Sequence, residues 1–319
     1  MEIPSQLLAS MSRVSERPPS PAVAVLIDEI LARYGDAAQG ILFYGSCLRS
    51  GDDLDGLVDL YLLVDDYRKA FKSRMQAILN ALLPPNVYYL EREFHGNTVR
   101  TKYAILSLAD FQKGTSEEWF HSYLWGRFCQ PTAVLYARND DVKKKIQKGF
   151  AQSVMTFLAR VLPMVSHEFS ARQIWRRGLT LSYGAELRSE NPAKRARLFD
   201  AAPDYYEEVT RQAVDSMPYP VEIEINDEGG PVRYCTQISK ATRLKGRLGW
   251  GLRSLLGKLL SVLRLMKAAL TFEGGVDYIL WKIERHTGVR IDVEPQPKRR
   301  SLLSLGVLAW RLYRKGGFR

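Results

Sequence analysis

Cysteine and histidine are both scarce in this 319-residue sequence, which has three cysteines and four histidines spread far apart. Cysteines this widely separated provide neither a disulfide framework nor zinc-ligand spacing, a pattern typical of a reducing compartment. The histidines form no metal-ligand pair. The first residues also lack a basic start followed by an apolar core, so the sequence predicts no secretory signal.

Acidic residues are absent from residues 229–272, although this stretch contains nine lysines and arginines. Residues 240–319 carry eighteen lysines and arginines against five acidic residues, so this last quarter more than accounts for the net charge of +11. A charge asymmetry of this kind predicts an anionic partner.

Apolar residues of the same stretch recur on one helical stripe, at positions 252, 255, 259, 262, 263, 266 and 270. Arg253, Arg264 and Lys267 fall on the opposite face. A leucine-rich face backed by a cationic face is typical of a helix that lies in a membrane interface. Charges interrupt the stretch before the ~18 to 20 apolar residues of a spanning helix accumulate. Nucleic-acid binding is disfavoured because a leucine face makes no phosphate contacts. Packing of the helix against the rest of the protein is the alternative.

Two apolar stretches nearer the N-terminus predict buried strands. Residues 41–44 run into Gly45 and Ser46, and residues 58–64 are almost wholly apolar apart from Asp59. Continuous apolar runs favour strands that are covered on both faces. An ionised carboxylate in such a strand is costly without a positive partner, and a metal ion is one candidate for that partner. Glycine lets a backbone approach a ligand closely, and the serine adds a hydroxyl and an amide donor.

The Gly45-Ser46 turn, twelve intervening residues and Asp59 between apolar neighbours resemble the nucleotidyltransferase signature. Further matching stretches follow in order: Asn-Val-Tyr-Tyr at 86–89, Thr-Lys-Tyr-Ala-Ile-Leu-Ser at 101–107, Gly126-Arg127 with Pro131, and Gly-Leu-Thr-Leu-Ser-Tyr at 178–183. Together they resemble the mitochondrial-type phosphatidate cytidylyltransferases, the translocator assembly and maintenance family. The resemblance covers roughly residues 40–190.

This resemblance implies roles for individual residues. Asp59 and Lys102 are the implied catalytic residues, and Asp59 is also the implied ligand of Mg²⁺. Tyr44, Gly45 and Ser46 are the implied nucleotide-binding residues. Each assignment has a simpler alternative. In these alternatives Asp59 pairs with an arginine, Lys102 extends to the surface, and Gly45-Ser46 forms a plain strand-to-helix turn.

One position departs from the broad superfamily, which has a second acid two residues after the first. Here that position is Tyr61, and the cytidylyltransferases are similar in having hydrophobic residues there. The metal site would then be completed by Asp55 in the preceding loop or by a residue of the stretch 97–102. Arg127 is a candidate contact for the substrate phosphate, although an arginine there can instead interact with a helix C-terminus.

The order of predicted helices and strands indicates an α+β protein with three parts after a flexible arm at residues 1–20. Residues 21–140 are predicted to form a nucleotidyltransferase-like domain with a mixed sheet. Residues 141–240 are predicted to form a helical, winged-helix-like domain. Residues 241–319 are predicted to form a basic amphipathic region that associates with a membrane.

The predicted function is that of a phosphatidate cytidylyltransferase, which converts CTP and phosphatidic acid to CDP-diacylglycerol and pyrophosphate with Mg²⁺ as cofactor. We expect a cytoplasmic protein that is peripheral on the inner face of an anionic membrane, bound through the C-terminal helix. Two alternatives remain open. One is a nucleotidyltransferase that acts on another acceptor, such as RNA or a small metabolite. The other is a non-catalytic membrane-bound scaffold, which the missing second acid would allow.

Overall fold

A computed structural model describes residues 1–54, 56–186, 198–224 and 232–271. Its larger sheet has five strands in the order β3-β4-β2-β1-β5. The strands are β1 (Ala38–Tyr44), β2 (Val58–Val64), β3 (Asn86–Phe94), β4 (Asn97–Ser107) and β5 (Ala133–Ala137). The sheet is mixed, because β2 and β4 run parallel while the other neighbouring pairs are antiparallel. The predicted α+β class with a mixed sheet is confirmed.

Helices surround this sheet and form most of the remaining described chain. They are α1 (Ser5–Ser15), α2 (Pro21–Tyr34), α3 (Ser46–Ser50), α4 (Tyr67–Ala70), α5 (Arg74–Leu82), α6 (Leu108–Thr115), α7 (Trp125–Phe128), α8 (Asp140–Val161), α9 (Ala171–Gly184), α10 (Pro203–Ala213) and α11 (Lys240–Thr271).

Strand β2 is buried on both faces, as its continuous apolar sequence predicts. Leu60 and Leu62 belong to the core that contains α2, whereas Tyr61 and Leu63 belong to the core that contains α8. Successive side chains of a strand point to opposite faces, so the one strand contributes to both cores. Asp59, near the strand's start, is only partly buried.

The N-terminal segment is not a flexible arm, so that prediction is wrong. It forms helix α1, whose Leu7 and Met11 are buried in the core that contains α8. These two side chains lie four residues apart and therefore share one helical face. Ser10 donates a hydrogen bond to Glu208 of α10 at 2.9 Å. This hydrogen bond and the two buried apolar side chains hold the helix against the rest of the protein.

The predicted second domain combines α8, α9 and α10 with a small antiparallel sheet. Its strands are β6 (Glu168–Ser170), β7 (Val221–Glu224) and β8 (Arg233–Thr236), in the order β6-β8-β7. Helix α8 contacts the large sheet through Ile146, which lies against Gly40 of β1. It contacts α9 through Phe157, whose ring stacks on Trp175. The boundary predicted between residues 140 and 141 therefore lies within one continuous core.

Helix α11 is amphipathic as predicted, but its basic face is not free. Arg253 and Lys267 are only 5% and 6% exposed. Arg253 Nε donates to the Phe120 carbonyl at 2.8 Å. Lys267 Nζ donates to the carbonyls of Leu83 and Pro85, the first of which ends helix α5. The prediction of a free cationic face is wrong because these side chains pair with carbonyl groups of the rest of the protein.

The opposite stripe of α11 is exposed to solvent. It consists of Leu244, Leu248, Leu252, Leu255, Leu259, Val262, Leu263 and Met266, each at least 40% exposed. Within the described ranges, no helix combines the length and hydropathy needed to cross a membrane. The predicted membrane-associating region continues to residue 319, and its part at 272–319 lies outside the described residues.

Candidate active site

Three neighbouring strands bring Tyr44, Asp59 and Lys102 into one row across the large sheet. Tyr44 pairs with Asp59 in the β1–β2 ladder, and Asp59 pairs with Lys102 in the parallel β2–β4 ladder. Lys102 Nζ lies 3.1 Å from Asp59 Oδ1, and both side chains remain partly accessible. The positive partner that a carboxylate needs in an apolar strand is therefore supplied by this lysine.

The turn after β1 places Gly45 directly against the Asp59 carboxylate. Gly45 has a φ of 96° and a ψ of −161°, a backbone region that is essentially restricted to glycine. A Cβ atom at this position would lie 2.7 Å from Asp59 Oδ2, well inside van der Waals contact. Helix α3 begins at the next residue, Ser46. The close approach of the turn to the carboxylate therefore requires a glycine.

The loop between α3 and β2 carries a second carboxylate, that of Asp53. Asp53 Oδ1 is buried and has no hydrogen-bond partner among the described residues. Burial raises the pKa of the Cys47 thiol to about 11, and the negative charges of Asp59 and Asp53 act in the same direction. A buried carboxylate oxygen without a partner is costly, and a cation would relieve that cost. Asp55, the predicted metal ligand of this loop, lies outside the described residues.

Arg127 lies beside the row but is enclosed by protein groups. Its guanidinium donates to Tyr61 Oη and lies 3.5 Å from Glu186 Oε2. It also faces the Tyr44 and Tyr123 rings, 5.4 and 4.4 Å from their centroids. Only 11% of the Arg127 side chain is exposed. Tyr61 stands at the position of the superfamily's second acid, and its phenol oxygen accepts a hydrogen bond from Arg127.

The same guanidinium opposes the effect of burial on the pKa values of two neighbouring tyrosines. Burial raises the pKa of Tyr61 well above its ordinary value, and the opposing charge of Arg127 does not cancel this effect. Burial also acts to raise the pKa of Tyr123, but Arg127 and Arg264 outweigh it and hold that pKa at about 8. Arg264 belongs to α11 and lies 4.0 Å from the centre of the Tyr123 ring. The C-terminal helix therefore contacts the framework of the site.

Sequence reasoning missed two members of this framework, Glu186 and Tyr123. Glu186 follows the matched stretch 178–183 by three residues, but no spacing pattern connects it to Arg127. Tyr123 precedes the short helix α7 that carries the arginine. Only their contacts with the guanidinium show that they belong to the site.

Arg127→Gln should lower the free energy of unfolding by about 3 kcal/mol, because it removes a guanidinium that is only 11% exposed and contacts Tyr61 and Glu186. Urea unfolding measures this change. The matched control is Arg138→Gln, which breaks an exposed ion pair with Asp36 and should cost less than about 1 kcal/mol. If Arg127→Gln keeps parental stability and raises KM for the lipid substrate alone, the arginine binds phosphate and the structural role is wrong.

Residues 64–244, more than half of the chain, match the family described as "Phosphatidate cytidylyltransferase, mitochondrial". The chain belongs to this family. It is therefore a phosphatidate cytidylyltransferase that makes CDP-diacylglycerol, and the function predicted from the sequence is confirmed. The family match contains Lys102 and Arg127, whereas Gly45 and Asp59 precede it.

Two further comparisons add little to the family match. No curated protein matches the chain. A nucleotidyltransferase-like protein from Exiguobacterium sibiricum 255-15 is similar over 92% of this chain and 91% of its own, with 14% identity and a TM-score of 0.22. A TM-score this low supports no structural argument, so the fold class rests on the strand order and the activity rests on family membership.

Proposed function

We propose that CTP binds over the Gly45-Ser46 turn and that a phosphatidic acid oxygen attacks its α-phosphorus, which releases pyrophosphate. The observation that carries this mechanism is the pair of Asp59 and Lys102, 3.1 Å apart and packed against the glycine turn. It supplies a carboxylate and a cation beside a backbone turn. Phosphoryl transfer depends mainly on positioning and charge neutralisation, which these groups provide.

A divalent metal is implied by the family, and the oxygen ligands around Asp59 fit Mg²⁺. Asp59 offers one carboxylate, and Asp53 offers a buried oxygen that lacks a partner in the described part of the chain. Mg²⁺ usually takes one or two carboxylates and completes its shell with water and substrate phosphates. Asp59 and Asp53 would therefore hold the ion, and Asp55 remains the third candidate. When bound, Mg²⁺ would neutralise charge on the triphosphate.

The remaining residues would orient the nucleotide and neutralise charge. The Lys102 ammonium would offset the negative charge that develops on the phosphates. The hydroxyl and amide of Ser46 would bind the outer phosphates, and Tyr44 would border the nucleotide. The second pKa of a phosphomonoester is about 6, so the attacking oxygen of phosphatidic acid is already ionised at neutral pH. The mechanism therefore requires no strong general base.

Purified protein incubated with labelled CTP, Mg²⁺ and phosphatidic acid vesicles tests this mechanism. We expect labelled CDP-diacylglycerol and one pyrophosphate per turnover, both lost when a chelator is added. CTP with Mg²⁺ should protect the protein against thermal unfolding, whereas ATP and GTP should not. Transfer of the label to a different acceptor, without CDP-diacylglycerol, would contradict the proposal.

We further propose that α11 lies on an anionic membrane through its exposed leucine stripe. Arg247 and Lys258 are exposed on this helix, and Lys258 borders the stripe because it lies between Leu255 and Val262. Each basic residue near an anionic surface contributes about 1 kcal/mol. Since Arg264 joins α11 to Tyr123 beside the active site, this orientation would bring the site to its lipid substrate. The enzyme would then act as a peripheral membrane protein.

Replacement of Leu255, Leu259 and Met266 by serine should weaken binding to phosphatidic acid vesicles by about 100-fold, because each apolar side chain contributes roughly 1 kcal/mol or more on burial. Vesicle flotation at low salt measures the binding. Arg247→Gln with Lys258→Gln is the comparison variant, and it should reduce mainly the salt sensitivity of binding. If the parent protein does not float with these vesicles, the leucine stripe is not a membrane surface.

We also propose that residues 141–240 form a winged-helix-like module. Its elements run in the order α8, β6, α9, α10, β7, β8, and the short strand β6 pairs with the last strand, β8. This order of helices, with a final two-stranded hairpin beside β6, supports the assignment.

A further inference from the structure

The small sheet carries a row of potential metal ligands on one face. Cys235 of β8 lies directly opposite Glu168 of β6 and Glu222 of β7 in the two ladders. The alternate residues Phe169 and Tyr234 are buried in the core, where their rings stack 5.6 Å apart. Because successive side chains of a strand point to opposite faces, the row of Glu168, Cys235 and Glu222 lies on the outer face of this sheet.

His167 and Glu224 extend this row into a cluster. The His167 carbonyl accepts a hydrogen bond from the Thr236 amide at 2.9 Å, which continues the β6–β8 ladder. The ligand atoms of His167, Glu168 and Cys235 all lie within 4.8 Å of one another. Cys235 Sγ donates a hydrogen bond to Glu224 Oε1 at 3.3 Å. Imidazole, carboxylate and thiol groups therefore meet at Cys235, whose sulfur also contacts Glu224 of the third strand.

Negative charge in this cluster is weakly compensated among the described residues. Arg233 Nη1 lies 3.8 Å from Glu168 Oε2, but both side chains are about 60% exposed, so this ion pair contributes little. Burial raises the pKa of the Cys235 thiol, and the carboxylates of Glu224, Glu168 and Glu222 raise it further. A divalent cation would relieve the repulsion between the carboxylates and would bind the thiolate.

We propose that His167, Glu168, Cys235 and Glu224 form a zinc-binding site that ties together the three strands of the small sheet. Zinc binds thiolate, imidazole and carboxylate at ~2.0–2.3 Å, which places the ligand atoms of a tetrahedral site ~3.4–3.8 Å apart. The ligand atoms of His167, Glu168 and Cys235 lie within 4.8 Å of one another, so small side-chain rotations would bring them to that spacing. The thiolate and imidazole favour zinc over Mg²⁺. Binding would release the thiol proton to solvent. The site is separate from the active-site carboxylates.

Metal titration of the full-length protein tests this proposal. After treatment with a chelator, the protein should bind Zn²⁺, and Co²⁺ should give visible ligand-field bands and a thiolate-to-cobalt charge-transfer band. Cys235→Ser should abolish the charge-transfer band, and both this variant and His167→Asn should weaken zinc binding at least about 100-fold. The matched control is His95→Asn, in the exposed turn between β3 and β4, which should bind zinc like the parent.

Two results would overturn the proposal. One is a charge-transfer band that persists in Cys235→Ser, which would place the metal at another cysteine, such as Cys47 near Asp59. The other is zinc affinity that is unchanged in both variants. Because Cys235→Ser can disturb the sheet, Glu168→Gln provides a second test at an exposed position. In the presence of chelator this variant should keep the thermal midpoint of the parent, and it should lose most of the zinc-induced rise in that midpoint.

Discussion

Asp59→Asn should lower the turnover of CTP by about 100-fold or more while the protein remains folded. The substitution keeps the shape of the side chain but removes the charge that pairs with Lys102 and that would hold Mg²⁺. Stability should change by less than about 1 kcal/mol, because both partners of this ion pair are partly accessible. Steady-state assays with phosphatidic acid vesicles measure the turnover, and circular dichroism confirms the fold.

The matched control is Asp65→Asn, which follows the other end of the same strand. Asp65 pairs with Lys69 at the surface, 2.6 Å away, and lies outside the Asp59–Lys102 row. Its substitution should leave CTP turnover unchanged. Parental turnover in a folded Asp59→Asn variant would show that this carboxylate has no catalytic role.

Gly45→Ala should abolish most of the activity through a different cause, the displacement of the Asp59 carboxylate. The added Cβ would lie 2.7 Å from Asp59 Oδ2 at a backbone conformation that alanine rarely adopts. The strained backbone should cost about 1–3 kcal/mol of stability. A shifted carboxylate no longer aligns with Lys102, so turnover should fall by about 100-fold. Turnover measurements and urea unfolding of the same preparation separate the two effects.

Gly96→Ala separates backbone strain from the contact with Asp59. Gly96 also has a positive φ, of 76°, but nothing lies within 4 Å of its Cβ position. Alanine there should cost about 1 kcal/mol of stability and leave turnover unchanged. Equal activity losses in the two glycine variants would mean that general destabilisation, and not the contact with Asp59, is responsible.

Helix α11 illustrates the limit of a periodic pattern. The spacing of its leucines predicted one apolar and one basic face, and both faces exist. The pattern did not show which face the protein covers, so Arg253 and Lys267 were expected to be free. They are buried because carbonyl groups near Phe120 and at the end of α5 lie within their reach. Those carbonyls belong to segments far away in the chain.

The candidate active site also depends partly on the sequence alone and partly on the tertiary structure. The sequence by itself determined strand β2, the Gly45 turn and the carboxylate of Asp59, because these depend on residue type and local spacing. Only the tertiary structure decided that Lys102 meets Asp59, since this contact requires the parallel register of β2 and β4. It also decided that Arg127 is enclosed, because the groups that surround it come from separate segments that packing alone brings together.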